Sequence, residues 1–481
     1  MSGPAALLID FGSTYTKLRA VDLKNRTLLG SGQGPSTVTS DITIGMRTAL
    51  GDLEEQLGRL PDFRYRLASS SAAGGLKMVT VGLVRELTAE AARFAALGAG
   101  ARLVDTFAYQ LSKRDMARIT GHDPDIILLA GGTDGGNSEV IVNNAQTLAA
   151  SGLTCPIIVA GNRSAADDAE EILKHAGKDV RVTGNVMPAL GTLEIEPARA
   201  AIRDVFIARI VHAKGLDRAH DFFDALAMPT PVAVLEAARL LSDGPHGRGG
   251  LGPLLVVDIG GATTDVYSVA SGEPTEGRIL QHGLPEPFAK RTVEGDLGMR
   301  HNAGEIIEAA GGRDAVAALA GATPAEVDVL LERIAADVER LPEGEGERAF
   351  DAALAQCAIR IAVTRHAGTV EIVHTVSGPV AAQRGKDLSP VATVIGTGGA
   401  LVYGRNASSI LSGCRFSEDE PGSLRPRDPA LLVDNNYLLY AAGLLAEVEP
   451  EAAFDFARAS LEPVSEQSVK GGENELRVTS G

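Results

Sequence analysis

Two aspartates stand at the ends of short apolar runs, and each is followed by a turn made of small residues. The chain reads "LLIDFGSTYTKLRA" around Asp10 and "LLVVDIGGATTDVYS" around Asp258. Glycine in such a turn lets the backbone come close to a ligand and direct its N–H groups toward it. Short hydroxyl side chains add further donors. The turns are typical of phosphate binding, with candidate donors at Gly12, Ser13, Thr14, Gly260, Gly261, Thr263 and Thr264.

A carboxylate beside a phosphate repels it unless a cation lies between the two. Asp10 and Asp258 therefore indicate a divalent metal, and Mg²⁺ with several retained waters fits best. Lys17 adds positive charge if it faces the turn, although the alternation of the strand could equally direct it to solvent.

Repetition is the reason for preferring this chemistry to a simple hairpin. A single Asp-Gly turn after a strand is commonly a hairpin. Two related turns, both on apolar strands and about half a chain apart, are harder to explain in that way. They indicate duplicated halves that clamp one nucleotide.

A third glycine-rich stretch, "VIGTGGAL", follows another apolar run. The stretch has two interpretations. Because its glycines lack side chains, its backbone can approach the ribose and the α-phosphate of a nucleotide, or it is an ordinary turn between a strand and a helix. It matches neither the GxGxxG nor the P-loop pattern, which disfavours those nucleotide-binding folds. The candidate nucleotide contacts in this stretch are Gly396, Thr397, Gly398 and Gly399.

Carboxylates also occur in "RTVEGDLGMR", where one glycine separates Glu294 from Asp296. Such a pair suits either the acidic start of a helix or the orientation of a water that attacks a phosphate. Glu294 is the candidate catalytic residue for the second role. The stretch "LAGGTDGGN" also has two interpretations, a ligand site at the edge of a parallel sheet or a glycine-rich turn.

These motifs lie in an α/β chain, in which short β-prone runs alternate with alanine-rich helical stretches. "DIILLAGG", "CPIIVAGN" and "DVRVTGNV" alternate with helices and predict a small parallel α/β unit. The pattern predicts an N-terminal lobe at 1–122, this inserted unit at 123–218, a connecting helix and linker at 219–250, a C-terminal lobe at 251–463 and a disordered tail at 464–481.

Composition excludes several classes of function. The 481 residues carry a formal net charge of −17, which argues against binding to nucleic acid or to an anionic membrane surface. Three scattered cysteines without CxxC spacing fit a reducing compartment. The sequence shows neither a signal-peptide pattern nor an apolar run long enough to span a bilayer. We therefore expect a cytoplasmic protein of two or more domains.

The three motifs "IDFGSTYTK", "VVDIGGATTDV" and "VIGTGGA", in this order, resemble the phosphate-1, phosphate-2 and adenosine motifs of the actin/Hsp70/sugar-kinase ATPase superfamily. The resemblance implies two ribonuclease-H-like lobes with ATP and Mg²⁺ in the cleft between them. It implies that Asp10 and Asp258 hold the hydrated metal, that both turns cradle the β- and γ-phosphates and that the third motif faces the adenosine. The helix Pro231–Ser242 stands where the superfamily has an interdomain connecting helix.

A narrower likeness covers nearly the whole chain. "LLAGGTDGGN", "PIIVAGN", "RTVEGDLGMRHNA" and "LLVDNNYLLYAAGLL" resemble the MutL/GlmL family, accessory proteins of adenosylcobalamin-dependent glutamate (methylaspartate) mutase that are unrelated to the mismatch-repair protein of the same letters. The likeness implies an ATP-driven, chaperone-like reactivating factor that releases damaged cobalamin from a mutase, its protein partner. The unit at 123–218 is then the expected contact surface for that partner.

Two other functions remain compatible with the motifs. A small-molecule kinase of the same fold needs a base next to the substrate hydroxyl, and no convincing Asp-centred sugar-binding loop is found in the sequence. An actin-like polymer needs complementary head-to-tail surfaces, which one sequence does not reveal.

Overall fold

The computed structural model describes residues 4–12, 15–37, 41–71, 76–213, 222–275, 279–376, 378–404 and 406–464. The predicted tail therefore lies, apart from Val464, outside the described residues. The strands are β1 (Ala5–Phe11), β2 (Tyr15–Asp22), β3 (Thr27–Pro35), β4 (Phe63–Ser70), β5 (Lys77–Gly82), β6 (Arg102–Ala108), β7 (Ile126–Leu129), β8 (Ile157–Val159), β9 (Val180–Val182), β10 (Ala225–Pro229), β11 (Leu254–Ile259), β12 (Thr264–Val269), β13 (Leu280–His282), β14 (Ala289–Glu294), β15 (Thr369–Thr375), β16 (Gly378–Arg384), β17 (Thr393–Thr397), β18 (Ala430–Asp434) and β19 (Leu461–Pro463).

Helices alternate with these strands, and a π-helical turn, Arg85–Ala89, precedes the second of them. The α-helices are α1 (Ile42–Leu57), α2 (Glu90–Gly98), α3 (Lys113–His122), α4 (Glu139–Ala149), α5 (Arg163–His175), α6 (Glu196–Ala213), α7 (Thr230–Asp243), α8 (Ala303–Ala309), α9 (Arg313–Ala320), α10 (Pro324–Ala336), α11 (Glu345–His366), α12 (Gly399–Val402), α13 (Ala407–Ser412), α14 (Leu439–Ala446) and α15 (Pro450–Ser460).

Two of the sheets repeat one topology. In the first lobe the strand order is β10-β4-β1-β2-β3, with β1, β2 and β3 antiparallel and with β4 and β10 parallel to β1. In the second lobe the order is β14-β12-β11-β17-β18, with the same directions, and β19 adds an antiparallel edge. Both follow the ribonuclease-H-like order 3-2-1-4-5. The predicted α/β fold of two such lobes is confirmed.

A third sheet is entirely parallel and forms the inserted unit. Its order is β6-β5-β7-β8-β9, and it lies in the chain between β4 and β10 of the first lobe. The predicted boundary at residue 123 falls inside this unit, because β5 and β6 belong to the same sheet. The stretch "TVGLVRELTAEAARFAALGAG", which begins at Thr80, predicts a helix, so the last three residues of β5 are expected to be helical. Burial of β5 in the middle of a sheet removes the polar alternation that marks a strand.

The lobes meet along a pair of helices that pack between their sheets. Helix α7, which contains the predicted connecting helix, packs against α14 of the second lobe, and both contribute to one apolar core with β1 and β11. The crossing is close: a Cβ at Gly443 would lie 1.8 Å from the carbonyl oxygen of Ala233. Only glycine permits this approach of two backbones.

The inserted unit is also tied to the second lobe. Arg291 on β14 is buried and pairs with Asp265 on β12, with a shortest N···O distance of 2.6 Å. The same guanidinium donates to the carbonyl oxygens of Leu97 (3.0 Å) and Ala101 (3.4 Å), at the end of α2. One arginine therefore joins the C-terminus of a helix in the inserted unit to the sheet of the second lobe.

Candidate functional site

Asp10 lies near the end of β1, the central strand of the first lobe, and its side chain is 6% exposed. Its Oδ1 accepts hydrogen bonds from the hydroxyls of Thr230 (2.6 Å) and Ser69 (3.3 Å), which stand at the start of α7 and near the end of β4. Burial raises the pKa of Asp10, whereas Lys17 and then the two hydroxyls lower it. The carboxylate is thus positioned by three elements of its lobe.

Asp258 holds the equivalent place near the end of β11 in the second lobe. Burial raises the pKa of its carboxyl to about 7, and the neighbouring Asp265 carboxylate contributes to the increase. Lys17 lowers this pKa, while Asp10 and Asp434 raise it. No hydrogen bond from a described residue reaches the Asp258 carboxylate.

The two predicted aspartates therefore lie within electrostatic range of each other, and the space between them is the candidate cleft. Asp10 and Asp258 come from different lobes, yet the charge of the first acts on the second. Lys17 on β2 lowers the pKa of both, so its ammonium group lies within electrostatic range of each. Of the two directions that the strand alternation allows for Lys17, the structure has the one that faces the aspartates.

Four carboxylates crowd this cleft, and two of them already have strong partners. Asp265 is paired with Arg291, and Asp434 accepts hydrogen bonds from the amides of Leu438 and Leu439 at the start of α14. Among the cations of the described ranges, Lys17 is the one that acts on both Asp10 and Asp258. Such unbalanced carboxylates fit Mg²⁺, which is commonly held by one or two of them together with waters and substrate phosphates. Within the described ranges, no group of three or more His, Cys, Asp or Glu side chains is arranged to hold a metal.

Both turns close with the same hydrogen bond. The amide of Gly12 donates to the carbonyl of Tyr15 at 3.1 Å, and the amide of Gly260 donates to the carbonyl of Thr263 at 2.9 Å. These two N–H groups are therefore used inside the turns. The amides of Gly261 and Ala262 donate to no other residue in the described part of the chain and belong to exposed residues, so they are available to an anion.

The predicted hydroxyl donors make different hydrogen bonds in the structure. Thr264 is fully buried and donates to the carbonyl of Leu297 at 2.7 Å, on the core side of β12. Thr263 donates to Asp265 at 3.1 Å, at the side of the cleft. Ser13 and Thr14 lie outside the described residues.

The third glycine-rich stretch reaches the cleft with its last residues. β17 pairs with β11 so that Thr397 is opposite Asp258. Gly398 has φ 111, and a Cβ there would lie 2.2 Å from the carbonyl oxygen of Ile259, so this close approach of the loop to β11 requires glycine. Gly396 instead faces the core, where a Cβ would be 2.7 Å from the side chains of Leu401 and Leu411. Gly398 is itself buried against β11, so the exposed glycine of the loop is Gly399.

Glu294 ends β14, and its carboxylate is held by Arg365 at 2.7 Å. The same guanidinium binds Asp296 at 2.8 Å. Burial raises the pKa of Glu294 even though Arg365 lowers it. The pair predicted from "EGD" is thus gathered around an arginine of α11 and, among the described residues, makes no hydrogen bond to Asp10 or Asp258.

Several residues of the site were not predicted from the sequence, among them Ser69, Thr230 and Tyr437. Thr230 lies in a Pro-Thr-Pro sequence that signals only the start of a helix, and Ser69 is one of several consecutive serines. Tyr437 lies in "VDNNYLLYAAG", which is informative only as part of a family likeness. Each reaches the cleft through contacts between distant parts of the chain.

The raised pKa of Asp258 leads to a prediction about how the stability of the protein depends on pH when no metal or nucleotide is bound. A folded-state pKa of about 7, above the ordinary 3.8, means that the folded chain binds this proton more tightly than the unfolded chain. The contribution of Asp258 to the free energy of unfolding is therefore lost as the pH rises from about 4 to 7, and the loss is complete above about pH 7. We expect Asp258→Asn to raise the melting temperature by a few degrees at pH 8, and by much less at pH 4.5, when unfolding is followed by circular dichroism in EDTA. An equal shift at both pH values would contradict the electrostatic origin.

None of the helices in the described ranges combines the length and the hydropathy of a membrane-spanning segment.

A family model described as "MutL protein" matches residues 6–461. A curated relative, "Protein MutL" from Clostridium tetanomorphum, is 49% identical over 450 residues, which cover 93% of this chain and 97% of the relative.

Similar solved structures are more distant. A nucleotide-free acetone carboxylase has a TM-score of 0.40 at 15% identity, covering 92% of this chain and 70% of that chain. A xylulose kinase from Bifidobacterium adolescentis has a TM-score of 0.30 at 12% identity, covering 96% and 94%. A glycerol dehydratase reactivase has a TM-score of 0.27 at 11% identity, covering 92% and 99%. Likenesses at these TM-scores support no conclusion about function, and the fold assignment depends on the strand order itself.

Proposed function

Because the chain belongs to the MutL family, we propose that it is an ATP-hydrolysing accessory factor that reactivates an adenosylcobalamin-dependent mutase. Glutamate (methylaspartate) mutase or a related mutase is the proposed client. The observation that carries the ATPase part is that Asp10 and Asp258, from two lobes of one topology, lie within electrostatic range of each other and of Lys17.

The proposed nucleotide site uses residues from both lobes. Asp10 and Asp258 would hold Mg²⁺ through its waters, and the amides of Gly261 and Ala262 would bind phosphate oxygens together with the turn at 12–14. Gly398 and Gly399 would face the adenosine. When bound, Mg²⁺ neutralises charge on the transferring phosphoryl group. Glu294 is the least suited of the predicted residues for orienting water, because Arg365 holds its carboxylate.

Reactivation requires that ATP and ADP favour different arrangements of the lobes, since a ligand shifts a conformational equilibrium only by its differential affinity for the two states. A site shared by both lobes suits this requirement. The inserted unit is the proposed contact surface for the mutase. Arg291 links its helix α2 to β14, so that a movement of the second lobe would be passed to the unit.

The test is recovery of an inactivated mutase. The mutase holoenzyme carrying damaged cobalamin is incubated with the protein, free adenosylcobalamin and Mg²⁺, and mutase turnover is measured after addition of ATP, of ADP or of a non-hydrolysable ATP analogue. We expect full recovery only with ATP, and none with the Asp258→Asn protein. Recovery that does not depend on this protein or on hydrolysable ATP would contradict the proposal. Release of ADP stimulated by a metabolite, without any client, would favour the small-molecule kinase.

A further inference from the structure

A loop of the second lobe rests on a strand of the first lobe beside the cleft. This loop, residues 435–438, follows β18, and the loop and the helix after it contact β2 at three points. The Lys17 ammonium lies 4.2 Å from the ring centroid of Tyr437, and Arg19 Nε donates to the carbonyl oxygen of Asn436 at 3.1 Å. The Tyr440 hydroxyl, at the start of α14, reaches the Lys17 carbonyl oxygen at 3.5 Å. The contacts cross from one lobe to the other.

The backbone of Tyr437 is held in an uncommon conformation to make this contact. Its φ is 53, in the left-handed region that non-glycine residues seldom adopt. The ring also borders the glycine-rich loop, since a Cβ at Gly399 would be 3.5 Å from the Tyr437 hydroxyl. Tyr437 thus lies between the lysine of the phosphate region and the loop proposed to face the adenosine.

Lys17 is held in this place by weak forces. No described residue accepts a hydrogen bond from its ammonium group, whose partners are the Tyr437 ring and the more distant charges of Asp10 and Asp258. A cation over an aromatic face is a modest interaction. Phosphate oxygens would offer the same ammonium direct, charge-assisted hydrogen bonds, which are considerably stronger.

We propose that the contact between Lys17 and Tyr437 is a latch between the lobes that the phosphates of a bound nucleotide compete away. The proposal rests on the proposed nucleotide site. As long as no phosphate competes, Tyr437 holds Lys17 and so holds the loop of the second lobe on β2. Once phosphates bind, Lys17 turns to them, the ring loses its cation, and one of the contacts that join the lobes is removed. Nucleotide occupancy is thereby passed to the loop that leads into α14.

The absence of tryptophan from the chain allows a direct test. Tyr437→Trp keeps an aromatic face for Lys17 and places the one tryptophan of the chain in the latch, where it can be excited selectively. We expect its emission to change on addition of Mg²⁺ with tripolyphosphate, which carries no adenosine and acts on the latch through its phosphates alone. The matched control is Phe416→Trp, because Arg427 lies over the Phe416 ring at 4.8 Å without belonging to the site. Its emission should stay constant.

A second measurement uses affinity. Tyr437→Leu removes the competing ring, so we expect tripolyphosphate to bind about two- to fivefold more tightly by calorimetry, whereas Tyr437→Phe should match the wild type. If wild-type protein fails to bind ATP, the proposed function itself is wrong. If ATP and tripolyphosphate bind but the emission of the Tyr437→Trp protein is unmoved and the three affinities are equal, the nucleotide site stands and the latch is overturned.

Discussion

Replacing either Asp10 or Asp258 by asparagine should lower Mg²⁺-dependent ATP hydrolysis by about a hundredfold. Asparagine keeps the size of the side chain, and at position 10 its oxygen still accepts from Thr230, so the substitution removes little besides the negative charge. Without that charge, the hydrated cation loses one of the two carboxylates that no strong partner balances. The measurement is phosphate release at saturating ATP with varied Mg²⁺.

The loss has to be separated from a loss of folding. Asp258→Asn is expected to stabilise the metal-free protein at pH 8, so an inactive variant with a raised melting temperature would place the defect in the chemistry. Asp328→Asn is the matched control, because this aspartate lies on α10 and is paired with Arg313 at the surface. Its turnover should equal that of the wild type. Wild-type turnover in both Asp10→Asn and Asp258→Asn would remove these residues from the mechanism.

Arg291→Met should lower the free energy of unfolding by about 3–5 kcal/mol, a large share of the stability of an ordinary domain. Methionine preserves much of the apolar stem but donates no hydrogen bonds. Asp265 would remain buried without its charged partner, and the carbonyl oxygens of Leu97 and Ala101 would lose a donor. The midpoint of urea unfolding, followed by circular dichroism, is the measurement.

The control for this prediction is an arginine at the surface. Arg313 pairs with Asp328 where both side chains are about half exposed, at 45% and 48%. Arg313→Met should therefore unfold at nearly the same urea concentration as the wild type. Arg291→Lys should fall between, because a lysine keeps the charge but loses the planar fork that reaches both the carboxylate and the helix end. Equal midpoints for Arg291→Met and Arg313→Met would contradict the role assigned to the buried pair.

Local features of the sequence were enough to predict the fold class and the two turns. An apolar strand that ends in an aspartate and a glycine-rich turn is specified by adjacent residues, and its repetition around Asp10 and Asp258 indicated two lobes of the same kind. The strand order of both sheets confirms this prediction. The glycine of each turn is also explained, since Gly12 and Gly260 close their turns with the same hydrogen bond.

Only the tertiary structure decided which side chains share the cleft and which face the core. Thr264 and Gly396 belong to the predicted motifs, but both are buried: Thr264 donates to the Leu297 carbonyl oxygen, and Gly396 faces the side chains of Leu401 and Leu411. Strand residues alternate between the two faces of a sheet, and the packing of other elements decides which face is buried. Ser69 and Thr230 meet Asp10 through contacts of long sequence separation, and Tyr437 meets Lys17 across the lobes. A local sequence pattern does not predict such contacts, because they form only when elements that are distant in the sequence pack together.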